Sequence, residues 1–324
     1  MHSNVELILS LLTEGFTIDE VQKELNLSNQ EFNEALKTIR DLGYNYTKTF
    51  SDDGNIIIKA GRTLNLRPRE NVRVNVKDST FHTIIMSDPH IGGPYEHPER
   101  LTTVADYAID HDIHTIFDTG DIINNYYPEQ EPDLRVKDPI KQAKKYLRYV
   151  PYRDKLIYFN LGGNHDYKSL VEQGFDSLRY YEDRRYDQVS LGYGLCYVHL
   201  KNDAIALAHE LKGSAQPINS TIVFRGHSHK FKNRDAKIIY VPALTDNYQG
   251  PYEFVPLPGF LDVEFLFYEG RIYKINLRHL TFIQNELRLA SEETMVVRPD
   301  YEERRIKSLQ KRRSTQNWVL FIYI

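Results

Sequence analysis

Asp88 and His90 stand two residues apart in "IIMSDPHIGG", an apolar run that ends on a carboxylate and an imidazole and then turns on glycines. One Asp-x-His pair is by itself more often a turn than a site, so the question is whether other runs end alike. They do. "IHTIFDTGD" runs into Asp121, "KLIYFNLGGNH" into Asn164 and His165, "AIALAH" into His209, and "STIVFRGHSH" into His227 and His229. Asp88, His90, Asp121, Asn164, His209, His227 and His229 make a mixed nitrogen and oxygen donor set suited to divalent transition metals. Seven donors are too many for one ion and suit two ions that share a carboxylate. Such a pair can bridge a hydroxide and clamp both oxygens of a displacement at phosphorus. Gly92, Gly93, Gly120, Gly163 and Gly226, beside these donors, permit tight turns and close substrate approach.

The elements that must bring these residues together are short apolar runs recurring from about residue 80: "HTIIMS", "IHTIFDT", "KLIYFNL", "AIALAHE", "STIVFRG", "AKIIYVPAL", "FLDVEFLFY" and "RIYKINL". The first three are separated by helical stretches, Pro98 to Asp110 and Pro139 to Tyr149, which is an α/β layout with strands buried on both faces. The later runs lie closer together, as in antiparallel pairs. Ligands of open α/β sheets collect beyond the carboxyl ends of strands, where every one of these donors falls.

Residues 1–60 read as a separate unit. Val5, Ile8, Leu9 and Leu12 recur at helical spacing, and "TIDE" and "SNQE" each place a Glu three residues after a capping hydroxyl. A third helix from Asn29 to Leu42 carries Phe32, Ala35, Leu36, Ile39 and Leu42 on one face, with Gln30, Asn33, Glu34, Lys37 and Asp41 facing out. A hairpin around Asp53-Gly54 follows. Three helices and a hairpin resemble a winged helix-turn-helix, with the third helix in the recognition position. The unit holds five Lys/Arg against ten Asp/Glu, a poor match to phosphate, so DNA binding and protein docking both stay open. Residues 61–80 are read as a basic linker and edge strand. Arg62, Arg67, Arg69 and Arg73 either track a nucleic-acid backbone or serve as solvated charges that discourage aggregation.

Composition narrows the class. At 324 residues, 41% apolar and 27% charged, the chain is globular and large enough for a main domain with an appendage. No apolar run approaches the roughly 18 residues of a membrane helix. The N-terminus lacks a basic start and a cleavage site, and Cys196 has no second cysteine to pair with, so the expected location is the cytoplasm. A formal net charge of −4 gives no global attraction to nucleic acid, which leaves any such binding to local patches.

Taken in order, D-x-H, G-D, G-N-H-D, H and G-H-x-H over Asp88 to His229 resemble the calcineurin-like metallophosphoesterases. The resemblance implies a four-layer α-β-β-α sandwich for residues 81–284. It implies that Asp88, His90, Asp121 and His229 hold one metal, and that Asp121 bridges to a second held by Asn164, His209 and His227. His165 and Asp166 are then catalytic, with His165 protonating the leaving oxygen and a metal-bridging hydroxide attacking. The cofactors would be two divalent ions, Mn²⁺ first, with Fe, Zn²⁺ or Ni²⁺ also accepted. Asn124 and Asn125 depart from the G-D-x-x-D-R-G of the protein Ser/Thr phosphatases, and purple acid phosphatases place a Tyr where Asn124 stands. The remaining likeness is to the DNA-repair exonuclease and phosphodiesterase branch.

The expected function is therefore a two-metal phosphodiesterase acting on nucleic acid, targeted by a small winged-helix domain. One rival is an enzyme for a small phosphoester such as a cyclic nucleotide, with the N-terminal unit serving assembly. Another is a catalytically silent DNA-binding regulator, which the intact donor set argues against. Tyr126, Tyr127, Tyr167 and "TDNYQGPYEF" are candidates to stack on a base. His82, His97, His111, His114, His199 and His279 are read as surface or satisfied strand residues. The extension 285–324, basic and then apolar at "WVLFIYI", leaves open an added strand, a homodimer contact or a mobile end.

Overall fold

The computed structural model describes residues 2–14, 16–41, 45–51, 55–61, 71–127, 134, 136–153, 156–210, 220–234, 237–246 and 256–308. The chain opens with α1 (His2–Glu14), α2 (Ile18–Leu25), α3 (Asn29–Asp41) and the pair β1 (Asn45–Ser51) and β2 (Ile56–Gly61). Next come β3 (Asn71–Asn75), β4 (Thr80–Met86), α4 (Glu99–Asp110), β5 (Thr115–Asp118), α5 (Pro139–Tyr149), β6 (Ile157–Gly162), α6 (Asn164–Gln173), α7 (Ser177–Arg184) and β7 (Gln188–Tyr193). The remainder is all strand: β8 (Leu195–Leu200), β9 (Asp203–Ala208), β10 (Val223–Arg225), β11 (Lys232–Arg234), β12 (Ile238–Tyr240), β13 (Gly259–Tyr268), β14 (Arg271–Ile283) and β15 (Glu286–Val296).

Two sheets result. One has the order β15-β14-β13-β4-β5-β6-β7, the other β11-β12-β10-β9-β8-β3-β1-β2. Strands β4 to β7 are mutually parallel, as α-helical crossovers require. Every residue of β5 and β6 is buried, which is why these runs are apolar without alternation. On one face of this sheet α4, α5 and α7 lay down Leu101, Val104, Ala105, Ala143, Tyr146 and Tyr181. On the other face Phe81, Phe117, Phe159 and Phe265 meet Val198, Ile205, Leu207 and Phe224 of the second sheet. The α/β sandwich is thus built by the apolar runs that the sequence displays.

Both N-terminal capping boxes form. Thr17 N donates to Glu20 Oε2 at 2.8 Å and Glu20 N to Thr17 Oγ1 at 3.2 Å, and Ser28 and Glu31 repeat the exchange at 2.9 and 3.3 Å. The three helices do not stand apart from the rest. Val5, Ile8, Val21, Phe32 and Ile39 belong to the same buried cluster as the inter-sheet residues. Asn33 Nδ2 donates to Tyr152 Oη at 3.1 Å, Tyr186 Oη donates to Asn29 Oδ1 at 2.9 Å, and the Phe32 ring stands edge-on to Tyr186 at 5.7 Å. Asn33, expected to face out, is buried for this reason.

One other expectation changes, and one alternative left open is decided. The anticipated edge strand within 61–80 lies inside its sheet, because β1 pairs parallel to β3 at Phe50↔Val74 and adds β2 beyond it. The extension from residue 285 begins as β15, which pairs along β14 from Ile283↔Glu286 to Lys274↔Val296. Residues 299–308 are helical, and Arg298 holds both oxygens of Asp203 at 2.8 and 3.0 Å. The Asp53-Gly54 turn, Arg62, Arg67, Arg69, residues 247–255 and "WVLFIYI" lie outside the described residues.

Candidate metal centre

Each donor follows the end of a strand. Asp88 follows β4, Asp121 follows β5 and Asn164 follows β6 in one sheet; His209 follows β9, and His227 and His229 follow β10 in the other. The turns that swing these side chains into one recess use left-handed backbone. Asp88, His90, Asp121, His227 and His229 have φ between +45° and +73°. Such residues cost about 1–3 kcal/mol each and persist only where surrounding bonds fix them. Here Asp88 N donates to Gly120 O at 2.9 Å, His90 N to Asp121 O at 3.1 Å and His227 N to Asp88 Oδ2 at 3.0 Å. Two glycines are obligatory. A Cβ on Gly120 (φ +119°) would lie 2.5 Å from His209 Nδ1, and one on Gly163 2.2 Å from Asp121 Oδ1.

The donor atoms converge as three overlapping groups: Asp88, His90 and His229; His90, Asp121 and His165; and Asp121, His209 and His227, with the atoms of each group within 4.8 Å of one another. His90 Nε2 and His229 Nε2 stand 3.1 Å apart, and His229 Nε2 is 3.3 Å from Asp88 Oδ1. Asp121 Oδ2 is 3.1 Å from His209 Nε2, 3.8 Å from His90 Nε2 and 3.9 Å from His165 Nε2. His227 Nδ1 and Asn164 Oδ1 are 3.0 Å apart. Asp88 Oδ1 and His209 Nε2 are buried without a well-aligned hydrogen-bond partner among the described residues. Orphaned, inward-facing donors of this kind fit divalent ions, and Asp121 is the carboxylate placed between the two sets.

The imidazoles are aimed from behind. His209 Nδ1 donates to Thr119 O at 2.8 Å, His90 Nδ1 to Asn124 Oδ1 at 3.1 Å and His165 Nδ1 to Asn124 O. Each bond fixes the tautomer and turns Nε2 toward the recess. Asn124 therefore orients two histidines, one with its amide and one with its carbonyl. The sequence marks it only as a departure from a familiar motif, and Thr119 carries no sequence signal at all, because its carbonyl does the work.

Charge is balanced tightly. Burial opposes charge on His209, but Asp121 and Asp88 outweigh it and push the imidazole up to about 10. Burial likewise opposes ionisation of Asp88 and Asp121. The facing histidines overcome it and hold both carboxyls below their ordinary range. The recess attracts positive charge, and a proton on His209 competes with a cation for the same carboxylates.

Asp166, expected beside His165 in catalysis, is fully buried and turned to the backbone. It accepts from Ile122 N and Gly163 N at 3.0 Å and from Ile123 N at 3.2 Å, clamping the turn that carries Asp121. Burial, then the Asp121 charge, push it up to about 6. Arg73 is exposed on β3 opposite His199, whereas the His209 end of β9 pairs with Leu195. That offset of four residues puts Arg73 roughly 13 Å along the sheet from the donors. Tyr127 does border the site, its ring 4.5 Å from that of His165, but the Lys168 ammonium lies 3.5 Å from its centroid, so the ring is engaged by both neighbours. Tyr167 is exposed and lies edge-on to Tyr193 at 5.6 Å. Of the other histidines, His82 meets Asp262, His97 meets Asp246, His111 meets Tyr107 O, His199 meets Asn71 and His114 lies 3.3 Å from Asp112.

No protein-family model matches the sequence, and no curated protein matches it. Among solved structures the chain is similar to the Pseudomonas putida nuclease MPE, at 16% identity over 59% of this chain and 85% of that one, with a TM-score of 0.32. It is similar to a putative 5'-nucleotidase from Staphylococcus aureus in complex with alpha-ketoglutarate at 11% identity, covering 68% of this chain and 55% of that one, TM-score 0.33. Similarity to the calcineurin-like phosphoesterase YfkN of Bacillus subtilis is 7% over 67% of this chain and 90% of that one, TM-score 0.30.

Proposed function

We propose that this chain is a two-metal phosphodiesterase of the calcineurin-like type and that its substrate is nucleic acid. The observation that carries the chemistry is the donor set itself, in which Asp121 lies between two clusters and Asp88 Oδ1 and His209 Nε2 are buried with no well-aligned hydrogen-bond partner among the described residues. Asp88, His90 and His229 would hold one ion, and His209, His227 and Asn164 the other, with Asp121 shared. Two such ions supply Lewis acidity at phosphorus and charge compensation for the transition state. The chain's own residues do the rest. Asn124 and Thr119 hold the imidazole rings, Asp166 holds the Asp121 turn, and Asp88 and Asp121 draw the cations in. His165, its Nδ1–H held by Asn124 O, presents Nε2 at the mouth of the site, and in its imidazolium form gives the Nε2 proton to the departing oxygen.

The test is purified protein loaded with Mn²⁺ and offered bis-p-nitrophenyl phosphate, single-stranded and duplex DNA, RNA and a panel of cyclic nucleotides. Cleavage of strands is expected, and turnover of cyclic nucleotides alone would move the assignment to a small phosphoester. Asp121→Asn should lose metal and nearly all hydrolysis while remaining folded. An active Asp121→Asn protein with two bound metals would reject the site.

A further inference from the structure

The geometry points to the exposed face of α5 as the track that leads a single strand of nucleic acid into the metal centre. This inference rests on the nucleic-acid reading above and names the surface that would serve it. None of the eleven residues of α5 is acidic. Lys141, Lys144 and Arg148 are exposed and spaced by three and four residues, so they share one side of the helix. They span about 10 Å along the axis, room for roughly three nucleotides of a stacked strand. Among the described residues no carboxylate pairs with any of the three.

The position of α5 matters as much as its charge. Its first turn is pinned to the site, because Gln142 Oε1 accepts from Asn125 N at 2.7 Å and Gln142 Nε2 donates to Asn125 O at 3.1 Å. Asn125 adjoins Asn124, which holds His90 and His165. Two more cations close the gap between helix and site. Lys137 Nζ donates to Tyr126 Oη at 3.2 Å and Lys168 Nζ to Tyr126 O at 3.1 Å. The cations thus run from Lys168 beside His165, through Lys137, to Lys141, Lys144 and Arg148.

Of the two helices packed beside α5, α4 carries the opposite charge and α7 does not. The exposed residues of α4 include Glu99, Asp106 and Asp110, whereas α7 exposes Arg179 and Arg184. On a chain of net charge −4, a basic strip with acidic α4 along one border and the arginines of α7 along the other draws a polyanion onto this face. A single strand suits it because the carboxylates are recessed, Asp88 and Asp121 being at most 1% exposed. A flexible strand bends from the helix into that recess, and a cationic face that follows the backbone is how such strands are gripped without sequence preference.

The test compares full-length protein with a K141Q/K144Q/R148Q variant. Binding of fluorescent dT20 and U20 is followed by anisotropy in EDTA across a salt series, with hydrolysis of bis-p-nitrophenyl phosphate by the Mn²⁺-loaded proteins in parallel. Each lost phosphate contact removes about 0.7 from the log–log salt slope of a single strand, so the slope should fall by about 2. That corresponds to about 100-fold weaker binding at 0.1 M salt if the curves meet near 1 M. Bis-p-nitrophenyl phosphate turnover should be unchanged, and a charge-preserving K141R/K144R/R148K variant should bind like the parent. An unchanged slope in the neutralised variant, or lost binding in the charge-preserving one, overturns the track alone. Poly-glutamate competing as well as dT20 also overturns it, since the face would then select any polyanion. A parent protein that turns over bis-p-nitrophenyl phosphate but neither binds nor cuts any strand overturns the nucleic-acid substrate and the track together.

Discussion

His165 hangs on a backbone carbonyl rather than on a carboxylate, and that small difference separates its two conceivable roles. Its Nε2 lies near enough to Asp121 and His90 to join a metal group, yet the two outer clusters are complete without it. His165→Ala should therefore keep both metals and slow turnover by roughly 10²–10⁴-fold, as for loss of a general acid. Metal content by elemental analysis beside kcat is the deciding pair of measurements, and loss of metal would make His165 a ligand. At this scale the donors were legible because metal chemistry restricts their types and strand ends restrict their places. Their aim was not legible. It is set by the carbonyls of Thr119 and Asn124 and by positive φ at five donors, and main-chain groups leave no trace in residue identity. The place of Asp166 is illegible for a related reason: its motif sets it beside His165, while its oxygens accept from three amides below.

Strand β14 shows what an element can bury when its pattern looks ordinary. His279 on this strand is only 8% exposed, its ring 4.4 Å from that of Phe231, and its Nε2 has no hydrogen-bond partner among the described residues. Burial lowers it to about 4, so the folded chain keeps the imidazole neutral where the unfolded chain takes up a proton near 6.5. Stability is then full above about pH 6.5 and declines as pH falls toward 4, by on the order of 3 kcal/mol from this residue. Thermal melting of His279→Gln should be less acid-sensitive across that window than the parent; equal slopes would dismiss the idea. The sequence reading of these histidines as satisfied failed here because a strand seen alone does not say which sheet packs on it. The apolar runs and the two central helices were legible because β4 to β6 are covered on both sides. By contrast, β15 alternates polar and apolar residues at an open edge and reads as a tail, and β3 reads as an edge until β1 is known to lie outside it.

Across the whole molecule, the N-terminal helices are part of the body. Phe32 and Asn33 of α3 are spent on Tyr186 and Tyr152, which leaves Gln30, Glu34 and Lys37 among its exposed residues. What joins the molecule more broadly is the division of the donors between its two sheets. Metal that binds only the assembled pair stabilises it by mass action, by about 2.7 kcal/mol at a hundredfold excess over Kd. EDTA should lower the melting temperature by several degrees and speed amide exchange at the ends of β4, β9 and β10, and Asp121→Asn should respond far less. If chelation changes neither, the seam is held without metal. The same division has a consequence for how the chain reaches its working form. A slip of one residue in either sheet would leave every donor in the chain and turn half of them to the wrong side. Catalytic competence is therefore a readout of correct assembly, acquired only when both sheets have found their register and closed on each other.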